Sequence, residues 1–250
     1  MNPLDFSGNT FLVTGASSGI GREACLYLAR LGARVGLIAR DKRRLDETLA
    51  GMEGDGHLTY SMDLAMVGDI PERIRKIAAD LGPISGLVHC AALNDAQPLR
   101  SWKPELHEKL MQINVTAALA LAKGFRHSKV RAPNASIVLM SSVSGIIGTP
   151  SIVDYSASKG AIIGITRTLA VELARDDIRV NAIAAGLVNS GMGTRMSHFT
   201  KEQLAEIEKA YPLGIGEGID VANSIIFLLS PMSRWITGSV LMVDGGHSIC

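Results

Sequence analysis

The chain has 250 residues, 47% of them hydrophobic and 4% aromatic, with 25 basic against 24 acidic side chains and a net charge of +1. That is apolar material for one sizeable core. The balanced, well-mixed charge offers no basic face to nucleic acid or to an anionic membrane, and so few rings leave no platform for stacking bases.

Short apolar runs alternate with longer amphipathic ones, the pattern of a parallel sheet wrapped by helices. A strand is expected over residues 10–14, then a helix over 19–31 that Gly32 stops in a C-cap position. A strand over 35–39, a charged helix over 41–50, a glycine-rich turn at 51–56 and a short strand over 57–61 follow. The helix over 67–81 ends at Gly82-Pro83, ahead of a strand over 86–91. Residues 92–102 read as a loop, 104–123 as one long helix carrying Asn114, 136–141 as a strand, 154–175 as a helix and 178–184 as a strand. Residues 186–200 read as irregular, 201–210 and 220–229 as helices, and 239–243 as a last strand before Asp244-Gly245-Gly246. The fold class is therefore α/β, a doubly wound parallel sheet of about seven strands with helices on both faces. No linker, repeat or low-complexity run divides the sequence, so one domain over 1–250 is expected.

Cys25, Cys90 and Cys250 are far apart and odd in number, and the histidines are scattered without an H-E-x-x-H pattern. A disulfide framework and a metal site are both disfavoured. The opening residues show neither a charged leader nor an apolar run, and no segment approaches the roughly 18 apolar residues of a membrane span. A reduced, cytoplasmic protein with no nucleic-acid or membrane partner is the expectation.

Thr14-Gly15-Ala16-Ser17-Ser18-Gly19-Ile20-Gly21 lies between the first strand and the first helix. Its three glycines let backbone approach a ligand, and free N–H groups at a helix start favour anions such as pyrophosphate. The spacing is longer than G-x-G-x-x-G and lacks the Lys-Ser/Thr of a P-loop. A tight turn that merely needs glycine is the competing reading.

Tyr155 and Lys159 are four positions apart, ahead of the apolar series Ala161, Ile162, Ile165, Leu169 and Leu173. On a helix the phenol and the ammonium share a face. A tyrosine ordinarily titrates near about 10, and a fixed cation beside it favours the phenolate, which makes a usable proton donor and acceptor. Alone, the pair reads better as two solvent-facing helix residues, and Ser142 as a strand-end or turn serine. Asn114, inside an apolar helix, needs partners if it is buried.

Taken together and in order, these residues resemble the short-chain dehydrogenase/reductase family. The T-G-x-x-x-G-x-G loop matches at Thr14 to Gly21 and Y-x-x-x-K at Tyr155 and Lys159; Ser142 falls where the family keeps its substrate-side hydroxyl. Asn114 matches the family's helix asparagine. Asn181-Ala182-Ile183 with Gly186, and Ile236-Thr237-Gly238 with Val243 to Gly246, resemble its C-terminal half. The nearest resemblance is to the single-domain group typified by 3-oxoacyl-carrier-protein reductases. There are departures: the usual N-N-A-G is His89-Cys90-Ala91-Ala92, the usual Pro-Gly is Ala185-Gly186, and a common threonine is represented by Ser190.

The resemblance implies a Rossmann-type fold and an NADP(H)-dependent oxidoreductase moving hydride between nicotinamide and a carbonyl or secondary alcohol. It makes Tyr155 the general acid and base, Ser142 the group that polarises the substrate oxygen, Lys159 the holder of the ribose hydroxyls and Asn114 the anchor of a relay water. It sets Gly15, Ser17, Ser18, Gly19, Ile20, Gly21, Asp63, Leu64, Ala91, Gly186, Val188 and Ser190 against the cofactor, with Tyr155 and Lys159. A nucleotide-binding protein that senses NADPH without turnover is the rival from another class; the four intact catalytic positions argue against it.

The second strand ends in Arg40 rather than the acid that grips the ribose of NAD. A guanidinium suits a phosphate, so NADP(H) is expected, with Ser17, Arg40 and Arg44 at its 2′-phosphate. Asp41 keeps NAD(H), and an NAD-dependent alcohol dehydrogenase, open. Asp63-Leu64 resembles the family's adenine site, with a helix N-cap as the alternative. Residues 186–211 are expected to cover the substrate, Gly191 and Gly193 giving motion and Leu187, Met192 and Met196 an adaptable apolar surface. Leu93, Ile146 and Ile152 would line the other wall, with polar contacts from Asn94 and Gln97. Arg126, Lys129 and Arg131 form a small basic patch that suits an acidic carrier protein or reads as a solvated helix end. The family usually forms tetramers through two long helices and the last strand, and Ala117, Ala118, Ala157, Ala161 and Gly164 would allow such helices close contact.

Overall fold

The computed structural model describes residues 2–189 and 200–249. Ser190, Gly191, Met192, Gly193 and Met196 of the expected cofactor and substrate contacts lie outside the described residues.

β1 (Thr10–Thr14) is buried at every position and lies inside the sheet, third of its seven strands. It pairs in parallel with β2 (Arg34–Ala39) on one side and β4 (Ile84–His89) on the other. β3 (Leu58–Ser61) lies beyond β2, while β5 (Arg131–Ser142), β6 (Arg179–Ala185) and β9 (Val240–Val243) follow beyond β4. The seven parallel strands run in the order β3-β2-β1-β4-β5-β6-β9. A separate pair joins β7 (Val188–Asn189), inside the stretch whose sequence reads as irregular, to β8 (Gly216–Glu217), ahead of the helix expected over 220–229.

Alternate side chains of each strand point to opposite faces. Leu12 packs with α3 (Ile70–Leu81), α5 (Ala117–Phe125) and α6 (Val153–Leu173). Its neighbours Phe11 and Val13 pack with α1 (Gly19–Arg30), α2 (Lys42–Ala50) and α8 (Gly218–Leu229) on the other face. The seven-stranded, doubly wound fold is thus the one expected. The winding reverses between β1 and β4, and such a reversal leaves a crevice at the carboxyl ends of the strands.

Some boundaries differ. β4 and β5 begin earlier than expected, at Ile84 and Arg131, because Ile84 N–H is held by the Val130 carbonyl and the register shifts between Ile84 and Gly86. The α3 helix begins at Ile70, with Pro71 in its first turn, instead of at residue 67. The long helix expected over 104–123 is α4 (Pro104–Met111), one π turn at Gln112–Thr116, and α5. The last helix before the short C-terminal strand, α8, starts two residues early, its Glu217 and Asp220 forming a capping box. The remaining helix, α7 (Lys201–Lys209), lies where expected.

α6 comes so near the turn after β5 that a Cβ on Gly145 would lie 2.7 Å from the Lys159 carbonyl carbon and 2.8 Å from Gly160 N. These are backbone atoms, so relief requires moving the helix. Gly145→Ala is expected to destabilise the fold by ~1–3 kcal/mol, read from the midpoint of urea unfolding; an unchanged midpoint would contradict this approach.

Candidate functional site

The carboxyl ends of β1 and β4 are fastened together by Thr14. Its hydroxyl accepts from Ala91 N–H at 3.2 Å and pairs with His89 Nδ1 at 2.8 Å. Gly15, at φ 70°, passes so close that a Cβ would lie 2.8 Å from Ala91 N, and one on Gly21 would lie 2.4 Å from the Gly15 carbonyl oxygen. Both positions therefore need glycine for close backbone approach. Helix α1 starts with no side-chain cap from Ser18 and no acid in its first turn, so its leading N–H groups stay available to an anion. Ser17, Gly19 and Ile20 complete this half-buried loop.

At the end of β2 the two candidates separate. Asp41 Oδ1 accepts from Arg44 N–H at 3.1 Å and caps α2. Arg40 is exposed, its carbonyl accepting from the Ser61 hydroxyl at 2.9 Å, and its guanidinium enters no ion pair among the described residues. Lys42 and Arg43 are paired with Asp46 and Glu47 at 2.9 and 2.7 Å. After β3, Asp63 Oδ1 accepts from Ala65 N–H at 3.0 Å in a local turn, and Leu64 is buried.

Asn114 sits in the π turn, a distortion frequent at functional sites. Its amide is committed: Nδ2 donates to the Leu93 carbonyl at 2.9 Å and to Ser158 Oγ at 3.0 Å, and Oδ1 accepts from Leu93 N–H at 2.8 Å. Ser158 Oγ in turn donates to the Tyr155 carbonyl at 2.8 Å. One turn on, Lys159 Nζ donates to the Met140 carbonyl at 2.8 Å and lies 5.5 Å from the centre of the Tyr155 ring. Lys159 is 3% exposed, and burial pulls its ammonium from an ordinary 10.5 to about 8. No carboxylate forms an ion pair with it among the described residues. The two serines ending β5 are distinguished by their bonds. Ser141 Oγ donates to the Lys159 carbonyl at 2.8 Å, whereas Ser142 Oγ accepts from Ser144 N–H at 3.2 Å and keeps its proton for another partner.

His89 is the residue that motif reading passes over; the sequence marks it only as a departure from the asparagine of the family pattern. It is 2% exposed, and burial, then the Lys159 charge, pulls its imidazole from 6.5 to about 3. It is a neutral ring whose Nε2 finds no side-chain partner among the described residues. Burial also pushes the neighbouring Cys90 thiol up to about 12, which leaves it without nucleophilic character.

Beyond β6, a Cβ on Gly186 would lie 2.8 Å from Asp244 Cα. Leu187 N–H donates to the Tyr211 hydroxyl at 3.0 Å, and Tyr211 stacks on His247 with ring centres 4.3 Å apart. Both ends of the 186–211 segment thus rest on the C-terminal turn, and Val188 lies between them in β7. Ile146 is exposed, and Leu93 and Ile152 are half-buried. Arg126 and Arg131 are instead drawn to Asp176, at 3.1 and 3.8 Å.

A family model described as enoyl-(acyl carrier protein) reductase matches residues 15–248. A human 3-oxoacyl-[acyl-carrier-protein] reductase is 36% identical over 94% of this chain and 95% of its own length. The chain belongs to the short-chain dehydrogenase/reductase family. It is an oxidoreductase of that family, with the family's fold. A structure of a candidate short-chain alcohol dehydrogenase from Sinorhizobium meliloti superposes with a TM-score of 0.89 at 30% identity, covering 98% of both chains. A candidate 2-deoxy-d-gluconate 3-dehydrogenase from Agrobacterium tumefaciens, solved with bound NADP, gives a TM-score of 0.89 at 27% identity over 100% of both chains.

The buried lysine fixes a pH signature. Its folded pKa is depressed, so below pH ~8 the fold carries the full cost of burying the charge, at ~1.4 kcal/mol per pKa unit. That cost is relieved as pH rises from about 8 to 10.5. Lys159→Met is expected to gain up to ~3 kcal/mol over the parent at pH 7, with the gap narrowing toward pH 10.5 in urea titrations. A gap independent of pH would mean that the ammonium is solvated.

Proposed function

We propose that this chain is an NADP(H)-dependent reductase of carbonyls, or dehydrogenase of secondary alcohols, in which Tyr155 is the general acid and base. The observation that carries the reading is the buried Lys159 ammonium beside the Tyr155 ring, which has no carboxylate to neutralise it. The site suits a dinucleotide: Gly15 and Gly21 let the loop fold tightly against Ala91 and onto itself, and the uncapped start of α1 beside it favours pyrophosphate. When bound, the nicotinamide supplies or accepts the hydride.

The chain's own residues do the rest. Tyr155 gives its proton to the carbonyl oxygen in reduction and takes it back in oxidation. Ser142 donates its free proton to the same oxygen and polarises it. Lys159 spends one N–H on Met140, leaving two for the ribose hydroxyls, and its lowered pKa lets it hold or release a proton near neutrality. Both amide hydrogens of Asn114 are committed, so a relay water there would rest on an oxygen. Asp63 and Leu64 receive the adenine, and Ala91, Gly186, Val188 and Ser190 the nicotinamide half.

The choice of NADP(H) rests on Arg40, and the use of Asp41 Oδ1 in the helix cap supports it over NAD(H). Ser17 and Arg44 join Arg40 at the 2′-phosphate, and the NADP-bound relative supports the assignment. The substrate is a small carbonyl or alcohol, since the basic patch that would meet a carrier protein is largely spent on Asp176. The chain acts as one domain, residues 186–211 cover the substrate, and the free Cys25 and Cys90 suit a reduced cytoplasmic compartment. A homotetramer is proposed with a changed interface. Ala117 and Ala118 are fully buried within the chain, while Val171 and Trp235 stand 81% and 91% exposed.

Tyr155→Phe is expected to bind NADPH as the parent does and to lose ~100-fold or more of kcat on a panel of ketones, followed by cofactor absorbance. Full activity in that variant would remove Tyr155 from the chemistry. Arg40→Ala is expected to raise the Kd of NADPH about 10–100-fold, the worth of a charge-assisted contact of about 1.5–3 kcal/mol, while leaving that of NADH unchanged. Equal shifts for both cofactors would refute the phosphate contact.

A further inference from the structure

The first turn of α6 carries Tyr155 but is not held by the usual means. Its N-cap, Ile152, makes no side-chain cap bond, and Ser151 before it has a left-handed φ of 65°. An uncapped turn next to a strained residue is prone to fray. The hydrogen bonds of Ser158 and Lys159 to Asn114 and Met140 act one turn later. What holds the first turn from outside is Asp154, the residue before the tyrosine. It is 8% exposed, and its Oδ1 accepts from Trp102 Nε1 at 3.0 Å and from His107 Nδ1 at 2.8 Å. A carboxylate can only accept, so the His107 proton must sit on Nδ1. The two rings are 6.1 Å apart and come from different elements, Trp102 closing the 92–102 loop and His107 lying in α4.

The same loop is fixed at its other end by Asn114, through Leu93. It is therefore strung between two anchors, one in the π turn and one beside Tyr155, and it carries Leu93, Asn94 and Gln97. We propose that Asp154, gripped by Trp102 and His107, is a positioning residue that fixes the Tyr155 turn and the facing loop as one unit. This rests on the catalytic reading of Tyr155. The bonds have no motif behind them, since the partners are 52 and 47 residues away in sequence.

The test compares Asp154→Leu, which removes both bonds, with Asp154→Asn, whose amide oxygen still accepts them. Backbone hydrogen exchange gives a readout independent of turnover. In Asp154→Leu the amides of residues 154–158 are expected to exchange at least about tenfold faster, with those of 162–173 unchanged. The kcat is expected to fall about tenfold or more, at an unchanged NADPH Kd, and Asp154→Asn to recover both. Trp235, 91% exposed, is the other of the two tryptophans, so a Trp235→Phe background isolates Trp102 emission, which should shift to the red in Asp154→Leu. Parental exchange in Asp154→Leu, or equal damage in Asp154→Asn, overturns the proposal. Should Asp154→Leu fail to fold, Trp102→Phe removes one bond and is read the same way: faster exchange supports the grip and unchanged exchange refutes it. A parent that turns over no carbonyl with either nicotinamide fails the catalytic reading, while hydrogen exchange still decides the grip.

Discussion

The arrangement depends on one cation kept out of water. Lys159 is buried and donates to a main-chain carbonyl of the neighbouring strand, with no acid as counter-ion among the described residues. Burying an unneutralised ammonium is costly, and the structure around it is correspondingly tight. Ser141 returns a bond from β5 to the Lys159 carbonyl, and Gly145 lets backbone meet backbone at the next turn. The neutral state of His89 follows first from its own burial and then from the same field, which repels a second positive charge. Stability is given up locally in return for a charge that can face a ligand.

Around that point the strand order does the spatial work. The reversal between β1 and β4 opens the sheet where the glycine loop and Ala91 meet, and Thr14 closes the gap behind them. The loops after β1, β2 and β3 lie on one side of this opening and those after β5, β6 and β9 on the other. Groups suited to an anionic dinucleotide fall on the first side, and hydroxyls and a cation suited to a reacting oxygen on the second. The division follows from parallel strands, whose carboxyl ends all emerge on one edge.

Much of this was legible in the sequence because its signals are local. The glycine spacing, the four-residue step from Tyr155 to Lys159, and the alternation of strands and helices need only a short window of chain. The strand order does not, because it is a matter of long-range pairing. The π turn at Gln112–Thr116 is invisible to helical periodicity, since the apolar pattern runs through it unbroken. The β7–β8 pair is only two residues on each side. His89 looks like any strand-end residue until burial is known. The triple contact of Trp102, His107 and Asp154 spans three elements and carries no pattern at all. Asp41 is hard to read for a different reason: capping and ribose binding ask for the same side chain, and its bond to Arg44 N–H is visible only in the fold.

That bond has an evolutionary corollary. At two adjacent positions, folding claims one side chain and leaves the other unclaimed. Asp41 is maintained by the helix it starts, whatever ligand the crevice takes. Arg40, with no architectural duty for its guanidinium, can be replaced without loosening anything. Drift at the second position therefore leaves the scaffold intact, while drift at the first costs the helix its cap.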